Sequence, residues 1–263
     1  MNSERTNDRG VWLHGPLGQC PAPADDVAHP WRLILLGAPG AGKGTQADLL
    51  HRELKACHLS TGDVFRAAGK LNACDQSPAM KEAQEYMRRG ALVPDATVWE
   101  MVRERAGCLQ CRGGFILDGF PRTLAQAEAL KGLLESEHIP LSGVVNYELP
   151  LNEIIARLSG RRTCAQCKAV FHVTHQPPAV EGKCDRCSGP LVQREDDRPE
   201  SITVRMEAYN RSTTPLIDFY RRLDLLVPVA ANGSPEEICA RTTSALQARA
   251  ERNHQPLTSP SHP

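Results

Sequence analysis

The sequence predicts an α/β fold in which a parallel, doubly wound sheet carries helices on both faces. Three observations predict it. Short apolar runs ending in turn signals alternate with longer stretches whose apolar residues recur at helical spacing. The first run, WRLILLG, leads directly into a glycine-rich loop and then a helix, the setting of a buried parallel strand that feeds a phosphate loop. And 263 residues suffice for one sizeable α/β core with inserted subdomains.

Taken in order, residues 1–30 are polar, bear proline and glycine and mix both charge signs. Transit peptides are arginine- and serine-rich and poor in acids, so this segment is expected to be a disordered extension. WRLILLG (31–37) reads as a buried parallel strand and AGKGTQADLLHREL (41–54) as the helix after it. GFILDGFPR (114–122), GVVNYELP (143–150) and LLVPVAANG (225–233) repeat the pattern of a short apolar run closed by turn residues. TLAQAEALKGLLES (123–136) and LNEIIARLSG (151–160) have helical spacing. Pro228 offers no N–H to a sheet ladder, which assigns the last strand to an edge. Two segments break the alternation: 60–93, largely helical, and 160–197, rich in turns and cysteines. Both read as insertions on the carboxyl side of the sheet, where ligands bind in such folds. No internal repeat is visible, and residues 249–263, ending NHQPLTSPSHP, read as a second disordered tail.

Charge narrows the function. Lys plus Arg and Asp plus Glu both total 31, whereas a nucleic-acid binder carries a basic excess to neutralise phosphates. Within 160–197 six basic side chains face five acidic ones, a weak footprint for DNA. Ten cysteines, six of them in CxxC pairs, without a secretory signal, point to a reducing cytosol and metal ligation rather than to disulfides. No apolar run approaches a membrane span.

Residues 37–45, GAPGAGKGT, carry the chemistry of phosphate binding. Glycines let backbone N–H groups close round phosphate oxygens, the following helix adds its positive end, and Lys43 can reach the terminal phosphates. The hydroxyl that commonly follows the lysine is displaced by one: position 44 is glycine and the hydroxyl is Thr45.

Cys164-x-x-Cys167 and Cys184-x-x-Cys187 have the spacing of a four-thiolate zinc site, which occurs both in nucleic-acid-binding modules and as a brace within enzymes. Paired Arg161-Arg162 precede the first knuckle, and Arg194 and Asp196-Asp197 follow the second. A third motif, Cys108-x-x-Cys111, has no second pair nearby in sequence and reads as two ordinary thiols. With the thiolate set complete, His172 and His175 are expected to be surface residues between the knuckles, His172 hydrogen-bonding locally.

The GxPGxGKGT loop resembles that of the adenylate kinase family, and the resemblance extends from about residue 31 to 245. LSTGDVFRAA (59–68), RRGALVPD (88–95) and DGFPRT (118–123) are similar to the family's three AMP motifs, and QREDDRPESITVR (193–205) to the exit of its lid. The resemblance is to the long-lid, zinc-containing form. It implies a P-loop three-layer fold with a five-stranded parallel sheet, a core of 31–59, 94–159 and 198–248, a helical AMP-binding insert of 60–93 and a zinc-braced lid of 160–197.

It also implies roles. Lys43, Arg122, Arg157, Arg161, Arg194 and Arg205 would stabilise the transferred phosphoryl group, their forks suiting bidentate phosphate contacts. ATP would meet Gly40, Ala41, Gly42, Lys43, Gly44, Thr45, Arg161, Val170, Phe171 and Pro235. AMP would meet Thr61, Arg66, Ala91, Leu92, Val93, Gly119, Phe120, Pro121, Arg122, Gln126, Arg194 and Arg205, with Gln126 pairing to the adenine edge. Asp118, closing an apolar strand, would hold magnesium through water. Cys164, Cys167, Cys184 and Cys187 would hold structural zinc in a lid otherwise made of turns.

The expected reaction is reversible, magnesium-dependent phosphoryl transfer from ATP to AMP by a cytoplasmic monomer that binds neither nucleic acid nor membrane. The acceptor oxygen is already anionic, so no general base is needed, and the sequence supplies cations without a Ser/His/Asp arrangement. Two alternatives stay open: a GTP-using relative that accepts AMP, and a zinc-ribbon nucleic-acid binder on a degenerate kinase core. The 70–78 segment, KLNACDQSP, is slightly longer than usual for the AMP-binding insert.

Overall fold

A computed structural model describes residues 30–68, 78–104 and 106–254. Four apolar runs become strands β1 (Trp31–Gly37), β3 (Gly114–Asp118), β4 (Gly143–Glu148) and β8 (Leu226–Ala230), and Cys57–Ser60 supplies β2. These five form one sheet in the order β2-β3-β1-β4-β8, every pair parallel. Strand β8 stands at the edge, as Pro228 requires.

Alternation along the strands builds the layers. Leu33 and Leu35 of β1 pack with Ile116, Val145 and Tyr147 under helices α1 (Lys43–Leu54) and α9 (Pro235–His254). Ile34 and Leu36 turn to the other face, with Leu59, Phe115, Leu117 and Val144. There they meet α4 (Asp95–Glu104), α5 (Leu124–Ser136) and α8 (Pro215–Arg222), whose Val98, Leu130 and Leu216 are buried. Helix α6 (Leu151–Gly160) packs Ile154 and Leu158 against Ile202 of α7 (Pro199–Ala208). A π-helical turn over Tyr209–Thr213 joins α7 to the threonine before α8.

The insert after β2 holds α2 (Thr61–Ala68) and α3 (Pro78–Arg88). The 70–78 feature lies almost wholly outside the described residues, as does the extension 1–29. The cysteine-rich insert differs from the turn-only lid expected. Strands β5 (Arg161–Cys164), β6 (Val170–His172) and β7 (Leu191–Val192) form a small antiparallel sheet, order β6-β5-β7, over a miniature core of Cys164, Ala169, Phe171 and Cys184. These strands are two to four residues long, too short for period-two alternation to register in the sequence.

The tail expected to begin at 249 is a second correction, because α9 continues to His254. Leu246 is buried in the core, and Arg249 Nε donates to Ser142 O at 3.1 Å while its Nη2 donates to Asp224 O. Docking of this face on the sheet edge outweighs the polar composition of the helix end. Among the described residues no helix is long and apolar enough to cross a membrane.

Candidate active site

The loop between β1 and α1 wraps the helix N-terminus. Gly42 sits at its start with φ 88°, a left-handed conformation open to glycine, and brings no side chain to cap the helix. The helix N-terminus, with its positive dipole end, therefore opens toward the cleft without a capping side chain in the way. Ala41 is buried beneath the loop, its N–H donating to Ala38 O at 3.1 Å. Lys43 Nζ donates back to Gly37 O at 2.6 Å and Ala38 O at 2.9 Å.

A cleft of about 750 Å³ opens over this loop. Lys43, Arg122, Arg157, Arg161, Arg194 and Arg205 all line it, though they come from five separate stretches of chain. Gly40, Gly42, Gly44 and Thr45 form its floor, Val170 and Phe171 of β6 one wall, and Pro235 another. Pro235 O accepts from Gln46 Nε2 at 2.9 Å, which ties the end of the cleft to α1.

Each cation is held by a carbonyl, hydroxyl or carboxylate. Arg122 Nε donates to Gly119 O (2.8 Å), Arg157 Nη2 to Ala231 O (2.8 Å) and Arg194 Nε to Thr163 Oγ1 (2.9 Å). Asp197, fully buried, accepts from Arg161 Nε at 2.7 Å and from Arg161 Nη2, and from Arg205 Nη1 at 3.0 Å. Arg205 also meets Asp196 Oδ2 at 3.1 Å. Asp196 and Asp197, after the second knuckle, therefore organise Arg161 and Arg205.

The cluster perturbs its members. Burial drives the Lys43 ammonium down to about 7; Asp118 resists the fall, and Arg122, Arg205 and Arg161 add to it. Asp118 ends β3. Burial opposes its ionisation, yet His58 and Lys43 beside it hold the carboxylate below its ordinary range. His58, buried on β2, contacts Asp48 Oδ1 at 3.2 Å through Nδ1. Its Nε2 stands 3.6 Å from Asp118 Oδ2, an ion-pair separation beyond hydrogen-bond length. Burial favours neutral imidazole, but these two acids outweigh it and raise His58 to about 9.

Beside the cleft lies a smaller hollow lined by Thr61, Ala91, Leu92, Val93, Arg122 and Gln126. Pro121 and Arg205 line the passage between hollow and loop. Thr61 Oγ1 donates to Gly119 O at 3.0 Å, and Gly119 itself sits at φ 82°, a conformation suited to glycine, where a Cβ would lie a tight 3.0 Å from that hydroxyl. Phe120 turns its ring into the core, 6.2 Å from that of Trp99, and lines neither the cleft nor the hollow. Arg66 lies on α2, and its side chain is outside the described residues.

In the lid the four thiols Cys164, Cys167, Cys184 and Cys187 have their sulfurs within 4.8 Å of one another. Cys164 and Cys187 are 3.5 Å apart, as are Cys167 and Cys184. Burial disfavours a Cys164 thiolate, but the N–H groups of Cys167 and Gln166 more than compensate and lower it to about 7. A four-sulfur cage with its thiolate stabilised by backbone fits a structural zinc ion. His172 stays out of the cage. Its Nδ1 accepts from the N–H groups of Thr174 and His175 at 3.1 Å, so Nε2 is the donor to Ala156 O at 3.2 Å, fastening the lid to α6. Cys108 is buried in the core, and Cys111 Sγ lies 3.0 Å from Cys57 Sγ on β2.

Sequence reasoning missed four contributors: Asp48, His58, Asp95 and Thr213. His58 did leave a signal, a titratable residue inside the buried strand CHLS. Asp95 reads as an ordinary first-turn acid of α4, and Thr213, whose Oγ1 donates to Arg122 O at 2.9 Å, as part of a helix.

Comparison with known proteins agrees with this geometry. A family model described as adenylate kinase matches residues 35–225. The chain is 49% identical over 216 residues to an adenylate kinase of Carboxydothermus hydrogenoformans, covering 82% of this chain and 99% of that protein. It is 48% identical over 207 residues to one of Thermodesulfovibrio yellowstonii, covering 79% and 94%. With one of Streptomyces coelicolor it shares 46% over 217 residues, covering 82% and 98%.

Proposed function

The chain belongs to the adenylate kinase family, and from that premise we propose that it transfers a phosphoryl group reversibly from ATP to AMP, giving two ADP. One observation carries the reading: Lys43 and five arginines converge on a single cleft that joins a phosphate loop to the hollow lined by Gln126.

Two anionic substrates repel each other, and the cluster offsets that repulsion. ATP phosphates bind the loop N–H groups and Lys43, whose depressed pKa is restored once a phosphate dianion replaces solvent beside it. Arg122 and Arg205, shared by cleft and passage, hold the acceptor phosphate, while Arg157, Arg161 and Arg194 face the transferred group. The acceptor oxygen carries no proton, so positioning and charge stabilisation do the catalysis. Asp118 would hold Mg²⁺ through water, and that ion supplies charge neutralisation on the ATP phosphates.

Residues 160–197, which carry β5 and β6, serve as a lid that closes over the phosphate loop to exclude water, which would otherwise accept the phosphoryl group. Cys164, Cys167, Cys184 and Cys187 would hold Zn²⁺, which braces the small lid sheet as one body. Residues 60–93 form the AMP-binding insert. The protein acts as a cytoplasmic monomer.

A donor and acceptor panel on purified protein, read as ADP formation, tests the reading. ATP with AMP is expected to be the best pair. A preference for CMP or UMP sinks the assignment, and a preference for GTP moves it to the GTP-using branch.

A further inference from the structure

Gln126 is the residue read above as pairing with adenine, yet two protein groups already hold its amide. Its carbonyl accepts from Arg122 N–H at 2.7 Å, and its amino end donates to Asp95 Oδ1 at 2.6 Å. The orientation is forced by chemistry. A backbone N–H can only donate and a carboxylate can only accept, so the amide turned over would oppose oxygen to oxygen and N–H to N–H.

Both partners are themselves anchored. Asp95 opens α4, and its other oxygen accepts from Thr123 Oγ1 at 2.9 Å. Arg122 is pinned through its carbonyl by Thr213. Gln126 is 4% exposed, so solvent cannot compensate a reversed amide. After these contacts the amide retains one N–H and one carbonyl lone pair.

We propose that Asp95 is a specificity-determining residue that, by fixing the Gln126 amide, selects a 6-aminopurine monophosphate over a 6-oxopurine one. Adenine offers an amino donor at position 6 and an acceptor at N1, which match the retained lone pair and N–H. A 6-oxopurine offers an acceptor at position 6 and an N1–H donor, mismatched at both points. Asp95 touches no substrate and acts through Gln126. The proposal rests on the reading of Gln126 as the base reader.

The test uses the full chain, saturating ATP, and AMP and IMP as acceptors, comparing kcat/KM for the parent, Asp95→Asn, Asp95→Ser and Thr123→Ala. An asparagine can donate as well as accept, so one of the two restraints on the Gln126 amide is lost and only the Arg122 N–H still opposes its turning. Both Asp95 variants are expected to narrow the AMP:IMP ratio by about tenfold or more, through a higher KM for AMP and a lower one for IMP, with KM for ATP unchanged. Thr123→Ala removes both the cap of α5, whose Oγ1 accepts from Gln126 N, and the hydroxyl that holds Asp95, so it is expected to lower the melting temperature and to narrow the ratio in part. A parent that favours AMP, with Asp95 variants that retain its ratio, overturns the role of Asp95 and leaves Gln126 standing. A parent that uses IMP as well as AMP removes both.

Discussion

Lys43 is expected to cost stability in the free protein while being indispensable to turnover, and Lys43→Met separates the two. Burial among Arg122, Arg205 and Arg161 lowers the ammonium from its ordinary 10.5 to about 7. A fall of that size corresponds to a destabilisation of about 5 kcal/mol with the lysine charged, an upper bound because Lys43 keeps partial contact with the open cleft. Methionine also leaves Gly37 O and Ala38 O without their donor, at roughly 1 kcal/mol each. Near pH 6.5 the variant should therefore be more stable than the parent, by up to about 3 kcal/mol. The sign follows from linkage. The folded-state pKa lies below the unfolded one, so the unfolded chain binds the extra proton between about pH 7 and 10.5 and the penalty fades as pH rises across that window. His58 titrates with the opposite slope, so only the difference between variant and parent isolates Lys43. That difference should change by up to about 4 kcal/mol from about pH 6.5 to 10, passing through zero as the parent becomes the more stable of the two. Urea unfolding without nucleotide, at several pH values, measures it. Turnover should meanwhile fall by about 10²- to 10³-fold, because charge stabilisation of the transferred group is lost. A variant less stable than the parent near pH 6.5, or an offset independent of pH, refutes the reasoning about burial. Near-normal turnover refutes the site.

The zinc cage should bind one ion per chain at about 2.3 Å per sulfur, and replacing Cys164 by Ser should lower the melting temperature while activity in the cold survives in part. Metal analysis that finds no zinc in chelator-free preparations, with all four thiols titratable, defeats that expectation. Gln126→Ala should weaken discrimination for AMP over CMP and UMP, visible as a smaller ratio of kcat/KM values; an unaltered ratio removes Gln126 from base recognition. His58, raised to about 9 by Asp118 and Asp48, contributes stability that is fully present below about pH 6.5 and lost as pH rises through about 9. His58→Gln should cost up to about 3 kcal/mol near pH 6 and much less near pH 9.5, and equal unfolding midpoints for parent and variant near pH 6 would count against the ion pair.

Much of the molecule was legible in the chain itself because the signals were local. LNEIIARLSG became α6 with its bounds unchanged, and WRLILLG became β1, since apolar spacing within one element reports directly on the face it buries. Pro228 marked an edge strand because a missing N–H acts where it stands. The phosphate loop and the two CxxC knuckles were equally plain, as each brings its ligand groups together within a few residues. The arginines were found as motif members, although nothing in their own neighbourhoods says that they meet.

What only the tertiary structure decided lies between residues far apart in sequence. It gathered six cations from five separate stretches of chain into one cleft and set Asp197 beneath Arg161 and Arg205. It placed Asp95 against an amide 31 positions away and enclosed His58 between Asp48 and Asp118. It also carried α9 past its expected end, because Leu246 and Arg249 found a surface that composition could not reveal. The physical reason is the same throughout. Backbone propensity and side-chain periodicity act over a turn or a strand and are written into neighbouring residues, whereas a buried acid acquires its partners only when sheet order brings distant segments within hydrogen-bond reach.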